Sequence, residues 1–278
     1  MINYTNKFFN LNIFRIKDIQ LHETTETNRL RNIFDRISNS RHLLNPVIVG
    51  QYDNELILID GANRLSTLNE IGCKLIIAQV TDYKNRKIKL RNWNHLIYDT
   101  EIKDVKDFCD SNNFKYKETT YKDGKKYLKN NHNCVLASDI SSGKTLLIHF
   151  PKRFNETIQG LNDFTKFYFN VYNFDRSEEE ITFSELCKYS RRKGILVEFF
   201  KFRKEQIVKI AKSKAKLPAG ISRHILDNRV LHVKYEISKL KNDKDIELKR
   251  NELNKYLLSK IDSNKVRQYR ESVIVFDE

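Results

Sequence analysis

The run LILID, residues 56–60, passes at once through a glycine into the amphipathic stretch NRLSTLNEIG, which Gly72 stops. A strand ending on an acid, a residue free to turn sharply and a helix starting within a few positions leave little choice of local geometry. The unpaired amides of the helix's first turn and the positive end of its dipole converge on one spot, where an anion fits. Arg64 on that turn can add a bidentate fork to a phosphate, and Asp60 at the strand end can hold a metal ion or a hydroxyl. A plainer reading has Asp60 capping the helix and Arg64 pairing with a neighbour, and DGxxR alone does not choose between them.

The surroundings of the turn favour a ligand site. LNIFRIKDIQL reads as a strand leading into a loop, TNRLRNIFDRISNS has helical periodicity, PVIVGQYDNELILIDG gives two strands joined by Gln51 to Glu55, and CKLIIAQVTDY is a strand. Upstream, LHETTE places His22, Glu23 and Glu26 in a loop after the first strand; downstream, Trp93 and His95 are expected just beyond the last strand of this unit. Loops at the carboxyl ends of strands are where ligands of α/β folds collect. A Glu beside a bound phosphate can act as general base for a hydroxyl nucleophile, and phosphoryl transfer otherwise asks mainly for positioning and charge neutralisation. Taken singly, Glu23 also reads as an exposed carboxylate, Trp93 as a core aromatic and His95 as a satisfied, partly buried histidine.

A chain of 278 residues suits one large fold or two lobes sharing a cleft, and 40% hydrophobic content with only 3 Pro argues for a packed core. The pattern changes character after about residue 84, and a boundary near Tyr98 gives an N-terminal unit, 1–98, and a C-terminal one, 99–278. The second contains a helix around VKDFCDSNN, a hairpin over CVLASDISSGKTLLIHF, a basic helix in RKEQIVKIAKSKAKL, a break at Pro218 and Gly220, a charged helix near LKRNELNKYLLSKI and a terminal strand ESVIVF. The fold class expected is α+β, with the site in the cleft between the units.

The net charge of +15 raises the question of nucleic acid. From Lys188 to Lys216 eleven basic residues face two acids, a local net of +9. Ile207, Val208, Ile210 and Ala211 fall on one side of that helix and the lysines on the other, which makes a solvated helix face the better reading and leaves DNA possible but not favoured. No apolar run approaches the length that crosses a bilayer, and MINYTNKFFNLNIF has no signal-peptide pattern, so a soluble cytoplasmic protein without a membrane partner is expected. Cys73, Cys109, Cys134 and Cys187 have no CxxC spacing, and His42, His132, His149 and His232 no metal-ligand spacing. SDISSGKTLL ends like a P-loop, but Ser138 stands where the first Gly is required and LLIHF reads as a strand where a helix is needed.

LHE, NPVIV and IDGANRLSTLNEIGCKLIIAQV together resemble the ParB/sulfiredoxin-like fold, whose mark is a DGxHR-type turn followed by a helix and a strand. LHETTE, DGANR, WNH and LPAGISRH look more narrowly like the free L-serine kinases, both the archaeal ADP-dependent kind and the kind of the staphyloferrin B siderophore pathway; the likeness to the latter extends to PAGISR and the final VIVFDE. The resemblance is strongest over 16–98 and 217–278. It implies transfer of a phosphoryl group from ATP or ADP, with Mg2+, to free L-serine, giving O-phospho-L-serine for siderophore or other specialised amino-acid metabolism. It also implies that Glu23 activates the serine hydroxyl, that Asp60 is a second essential acid near the metal, and that Gly61, Ala62, Asn63 and Arg64 grip the transferred phosphate. Trp93 and His95 would line the pocket, with Ser222, Arg223 and His224 binding the amino acid, Arg223 as partner of its carboxylate. Where the family carries His in DGxHR this chain has Asn63, which offers hydrogen bonds but no charge. The alternatives are a ParB-like nucleotide-sensing, DNA-binding regulator, although no helix-turn-helix follows the N-terminal unit, and a nuclease, for which Asp60 and Glu23 are a sparse carboxylate set.

Overall fold

Leu56 to Ile59 are all apolar because the strand they form is covered on both faces. The computed structural model describes residues 9–25, 27–178, 183, 185–186 and 193–269; Glu26, Cys187, the basic residues Lys188, Arg191 and Arg192, and the expected terminal strand ESVIVF lie outside the described residues. Its first part runs β1 (Leu11–Arg15), a 3-10 turn (Ile16–Asp18), β2 (Ile19–Gln20), helix α1 (Thr27–Ser38), β3 (His42–Leu43), β4 (Val47–Tyr52), β5 (Glu55–Asp60), α2 (Ala62–Glu70) and β6 (Leu75–Asp82). A mixed sheet orders these strands β1-β6-β4-β5-β2, with β1 antiparallel to β6, β4 antiparallel to β5, and β6 and β2 parallel to β4 and β5.

Alternation along β5 sends Leu56 and Leu58 into one hydrophobic cluster, with Val47, Leu65 and Leu68, and Ile57 and Ile59 into another, shared with the second sheet. The two sheets are therefore joined through the faces of one strand, and the residue after it in the chain is Gly61, at the site.

The second sheet is antiparallel. It is built from β7 (Lys89–Tyr98), α3 (Ile102–Ser111), β8 (Lys115–Thr119), α4 (Tyr121–Asn130), β9 (Cys134–Asp139), β10 (Thr145–His149), α5 (Phe154–Thr165), β11 (Phe174–Glu178), β12 (Gly194–Phe199), α6 (Lys204–Lys212) and β13 (Ser222–Ile225). The order is β11-β7-β12-β9-β10-β8, and β13 pairs with the first half of β7. The architecture is α+β. β10 pairs along its length with β9, so the segment after Gly143-Lys144 is a strand, as the sequence argued against a P-loop.

Two features differ from the sequence reading. Trp93 and His95 do not lie in a loop after β6: they lie within β7, the strand that pairs with β11, β12 and β13, and the hydrogen bonding passes from the first sheet to the second between Asp82 and Lys89. The chain also returns: β14 (Tyr235–Glu236) pairs with β3, and Tyr235, Ile237, Leu240 and, from α7 (Ile246–Asp262), Leu253 and Leu257 complete the cluster of Leu11, Ile13 and Leu75. Those residues supply apolar surface that the first sheet's outer face would otherwise expose. Among the described residues no helix is long and apolar enough to cross a membrane.

Leu253 is fully buried and Leu258 is 42% exposed on the same helix. Leu253→Ala should cost about 2–5 kcal/mol of unfolding free energy in a denaturant titration, whereas Leu258→Ala should stay within about 0.5 kcal/mol. Equal, small effects would contradict docking of α7 on the first sheet.

Candidate active site

The segment Leu217–Ser222 closes on the loop after β2 and makes one wall of a cleft. Leu217 N donates to His22 O and Thr24 N to Leu217 O, both at 2.8 Å, a parallel bridge across the Glu23 position. The Glu23 carboxylate then accepts from two further amides, Gly220 N at 2.9 Å on Oε2 and Ser222 N at 2.6 Å on Oε1. Both oxygens are thereby fixed, each with a lone pair to spare, and the side chain remains 15% exposed. Gly220 makes this possible: its φ is +74°, and a Cβ there would lie 2.1 Å from Arg176 Nε.

The opposite wall is the turn after β5. Gly61, at φ +98°, is the N-cap of α2, and no side chain caps the helix. The first intrahelical bond runs from Leu65 N to Gly61 O, leaving the amides of Ala62, Asn63 and Arg64 without helical partners. Asp60 does not cap; its Oδ2 accepts from Arg64 Nη2 at 2.8 Å and Arg229 Nη1 at 3.0 Å. Arg64 is further held by Nη1 on the carbonyls of Asn45 (3.3 Å) and Pro46 (2.5 Å), so its fork is already bonded at both ends.

The cleft between these walls has a volume of about 330 Å3 and brings together Glu23, Asp60, Gly61, Ala62, Asn63, Arg64, Trp93 and Ser222, along with His22 and Arg176. Three expected residues are not on its lining. His95 is wholly buried: Tyr168 Oη donates to Nδ1 at 2.7 Å and Nε2 donates to Gly220 O at 2.9 Å. It props the Gly220 turn from behind rather than lining the pocket. His224 is buried with Nε2 2.8 Å from Tyr83 Oη and its ring on the Ile59 carbonyl. Arg223 stacks 4.3 Å from the Trp93 ring centroid and pairs with Glu178 at 2.6 Å, so its charge is already matched.

His22, noted in the sequence only as part of LHETTE, proves central. Its Nδ1–H donates to Leu58 O at 2.9 Å, which fixes Nε2 as acceptor of the Ser222 hydroxyl at 2.7 Å. Arg176 and Arg229 carry no sequence signal, being single arginines in a Lys/Arg-rich chain. Among the described residues no group of three or more His, Cys, Asp or Glu is placed to hold an ion. Asp60, the residue expected to ligate Mg2+, has its Oδ2 bonded to both guanidinium groups.

The described lysines of the basic stretch are largely committed within the fold. Lys204 Nζ donates to Asn85 O at 2.7 Å, Lys212 pairs with Glu55 at 2.8 Å, Lys209 lies 4.9 Å from the Phe154 ring centroid, and Lys216 caps the end of α6 through the carbonyls of Ile210, Ala211 and Ser213. These contacts suit the helix face expected from the sequence, apolar side inward and lysines outward.

Burial holds the three site histidines neutral. It lowers the pKa of His22, with Glu23 and the Leu58 carbonyl opposing; it takes His95 down to about 3, with the Gly220 carbonyl opposing; and it lowers His224 strongly, aided by His22 and Lys204. In the unfolded chain each titrates near pH 6.5. Below that pH the unfolded state binds protons that the folded state refuses, so the stability they contribute is fully present above about 6.5 and is lost progressively as pH falls. Unfolding midpoints should therefore drop steadily below about pH 6.5, with a shallower drop in His95→Gln; a flat profile through that range would contradict the burial of these rings.

No family model and no curated relative matches the chain. Among solved structures it is similar to SbnI with a C-terminal truncation from Staphylococcus aureus, at a TM-score of 0.72 and 19% identity over 94% of this chain and 100% of that one. It is also similar to a free serine kinase in complex with AMP, at a TM-score of 0.70 and 12% identity over 83% of this chain and 93% of that one. A conserved hypothetical protein from Pyrococcus furiosus gives a TM-score of 0.68 at 12% identity over 83% of this chain and 97% of that one. The chain thus has the fold shared by SbnI and the free serine kinase.

Proposed function

We propose that the protein is a free L-serine kinase, transferring the terminal phosphoryl group of ATP or ADP to the serine hydroxyl and giving O-phospho-L-serine. One observation carries the reading: a carboxylate, Glu23, pinned by two amides, shares a cleft with the uncapped first turn of α2. In that arrangement the helix terminus receives the phosphoryl oxygens, which gather negative charge during transfer. Mg2+, an ion that keeps its waters and takes few protein ligands, would enter with the nucleotide and neutralise phosphate charge.

Glu23 faces the other reactant. The Gly220 and Ser222 amides occupy one lone pair on each oxygen and lock the side chain, so a remaining lone pair accepts the serine hydroxyl proton as the oxygen attacks phosphorus. One P–O bond forms to serine and one breaks to the departing ADP or AMP. Trp93, with Arg223 stacked on it, and Arg176 make the wall that receives the amino acid, and Ser222, its hydroxyl hydrogen donated in a hydrogen bond to His22 Nε2, offers it an acceptor. The likeness to a free serine kinase fold supports the choice of acceptor, and a nucleotide-dependent reaction of this kind fits the cytoplasm and a supply of phosphoserine for siderophore or other specialised amino-acid metabolism.

Purified protein incubated with L-serine, Mg2+ and either nucleotide should yield O-phosphoserine by mass spectrometry. Glu23→Ala should lower kcat by about 100- to 10,000-fold, the usual contribution of a positioned general base. Absence of product with both ATP and ADP would sink the proposal.

A further inference from the structure

Arg64, the cation expected to grip the phosphate, is spent elsewhere. Its guanidinium is bonded to the Asn45 and Pro46 carbonyls and to Asp60, and the side chain is 23% exposed. Asn63 beside it has no charge. An anion at the start of α2 therefore meets amides and a dipole but no available cation from the turn itself.

Arg229 comes from the loop between β13 and β14, which crosses from the second sheet to the two-stranded β3–β14 pair. It is held there by one side chain on β6: the buried Gln79 donates through Nε2 to Asn228 O (3.3 Å) and Asn228 Oδ1 (3.2 Å) and accepts from Val230 N at 2.9 Å through Oε1. A second tie, His232 N to Asn45 Oδ1 at 2.9 Å, fastens the same loop to the segment that binds Arg64. Arg229 thus sits between two anchored neighbours, yet its side chain is 42% exposed and among the described residues is hydrogen-bonded to Asp60 Oδ2 alone. Arg229 does not line the cleft itself; it stands behind Asp60, which does, and two guanidinium groups share that one carboxylate oxygen, which leaves an excess positive charge at the cleft's edge.

We propose that Arg229 is the cation for the terminal phosphate of a nucleoside di- or triphosphate: the phosphate replaces or joins Asp60 as its partner, while Arg64 stays bonded to Asn45, Pro46 and Asp60 and holds the turn. The inference rests on the nucleotide-binding part of the function proposed above. Arg229 has the donor geometry for a phosphate, needs to break a single bond to reach it, and loses little packing in doing so. Gln79 is the positioning residue that keeps it in place.

Titration calorimetry with AMP and with ADP in the presence of Mg2+, on the full chain, tests the assignment. Arg229→Ala should weaken ADP by about 10- to 100-fold, the worth of a charge-assisted pair, and leave AMP within about twofold, since AMP lacks the phosphate concerned. Gln79→Leu should reproduce part of the ADP loss, and Arg229→Lys should recover part of it. A melting temperature for Arg229→Ala close to that of the unaltered protein separates ligand contact from a role in the fold. Equal weakening of AMP and ADP, or no weakening of either, would overturn the assignment. Loss confined to ADP in a protein that makes no phosphoserine would keep the assignment and remove the kinase reading; failure of the unaltered protein to bind either nucleotide would remove both.

Discussion

The site depends on one carboxylate and two amides. Glu23 reaches Gly220 and Ser222 across sequence separations of 197 and 199 residues, and the backbone bridge between Glu23 and Leu217 runs beside it. Closing so long a loop costs conformational entropy that these few bonds do not repay by themselves. The return comes from packing: Leu217 and Ile221 are fully buried in the core of the second sheet, and Ile57 and Ile59 of β5 enter the same core. The strand that carries Asp60 and Gly61 and the turn that holds Glu23 are thus fixed by one set of apolar contacts, and the cleft between them is a by-product of that packing.

Electrostatics follow from the same burial. His22 and His224 hang from the consecutive carbonyls of Leu58 and Ile59, with ring centroids 5.5 Å apart, and His95 hangs from Gly220. Three rings in a dry environment stay neutral and serve as oriented hydrogen-bonding groups, not as charges. The formal charge is left to Glu23 with Arg176 near it at one wall, and at the other to Asp60 paired with Arg64 and Arg229, beside the α2 terminus. That division suits a reaction in which an uncharged hydroxyl loses its proton to one wall while a phosphate is held at the other.

Much of this was legible where local pattern and chemistry agree. The strand-glycine-helix sequence through DGANR, the helix Thr27–Ser38 and the hairpin over 134–150 all form as the periodicity and turn residues demand. Strand β7 was not, because Lys89, Arg91, Asn92 and Asn94 interrupt its apolar pattern; Asn92 is buried there by donating to the Phe199 and Phe200 carbonyls, a partner visible only in three dimensions. The same limit applies to Arg64. Its residue type suits a phosphate, but the carbonyls of Asn45 and Pro46, delivered by the segment before β4, claim it first. Arg229 reaches the site through a loop whose sequence, LDNRVLH, has no feature that distinguishes it from any other polar connection. Trp93 and Ser222 could be expected in the cleft from the resemblance, whereas His95 and His224 could not be told from lining residues until their partners were seen.

The most direct test of a site shared by the α2 terminus and the Glu23 clamp is an amide-resolved NMR titration with ADP and Mg2+, then with L-serine. The arrangement described here predicts that nucleotide shifts the amides from Gly61 to Leu65 first, and that serine then shifts Gly220 and Ser222. Shifts confined to the lysine face of α6, or absent from both walls of the cleft, would contradict it.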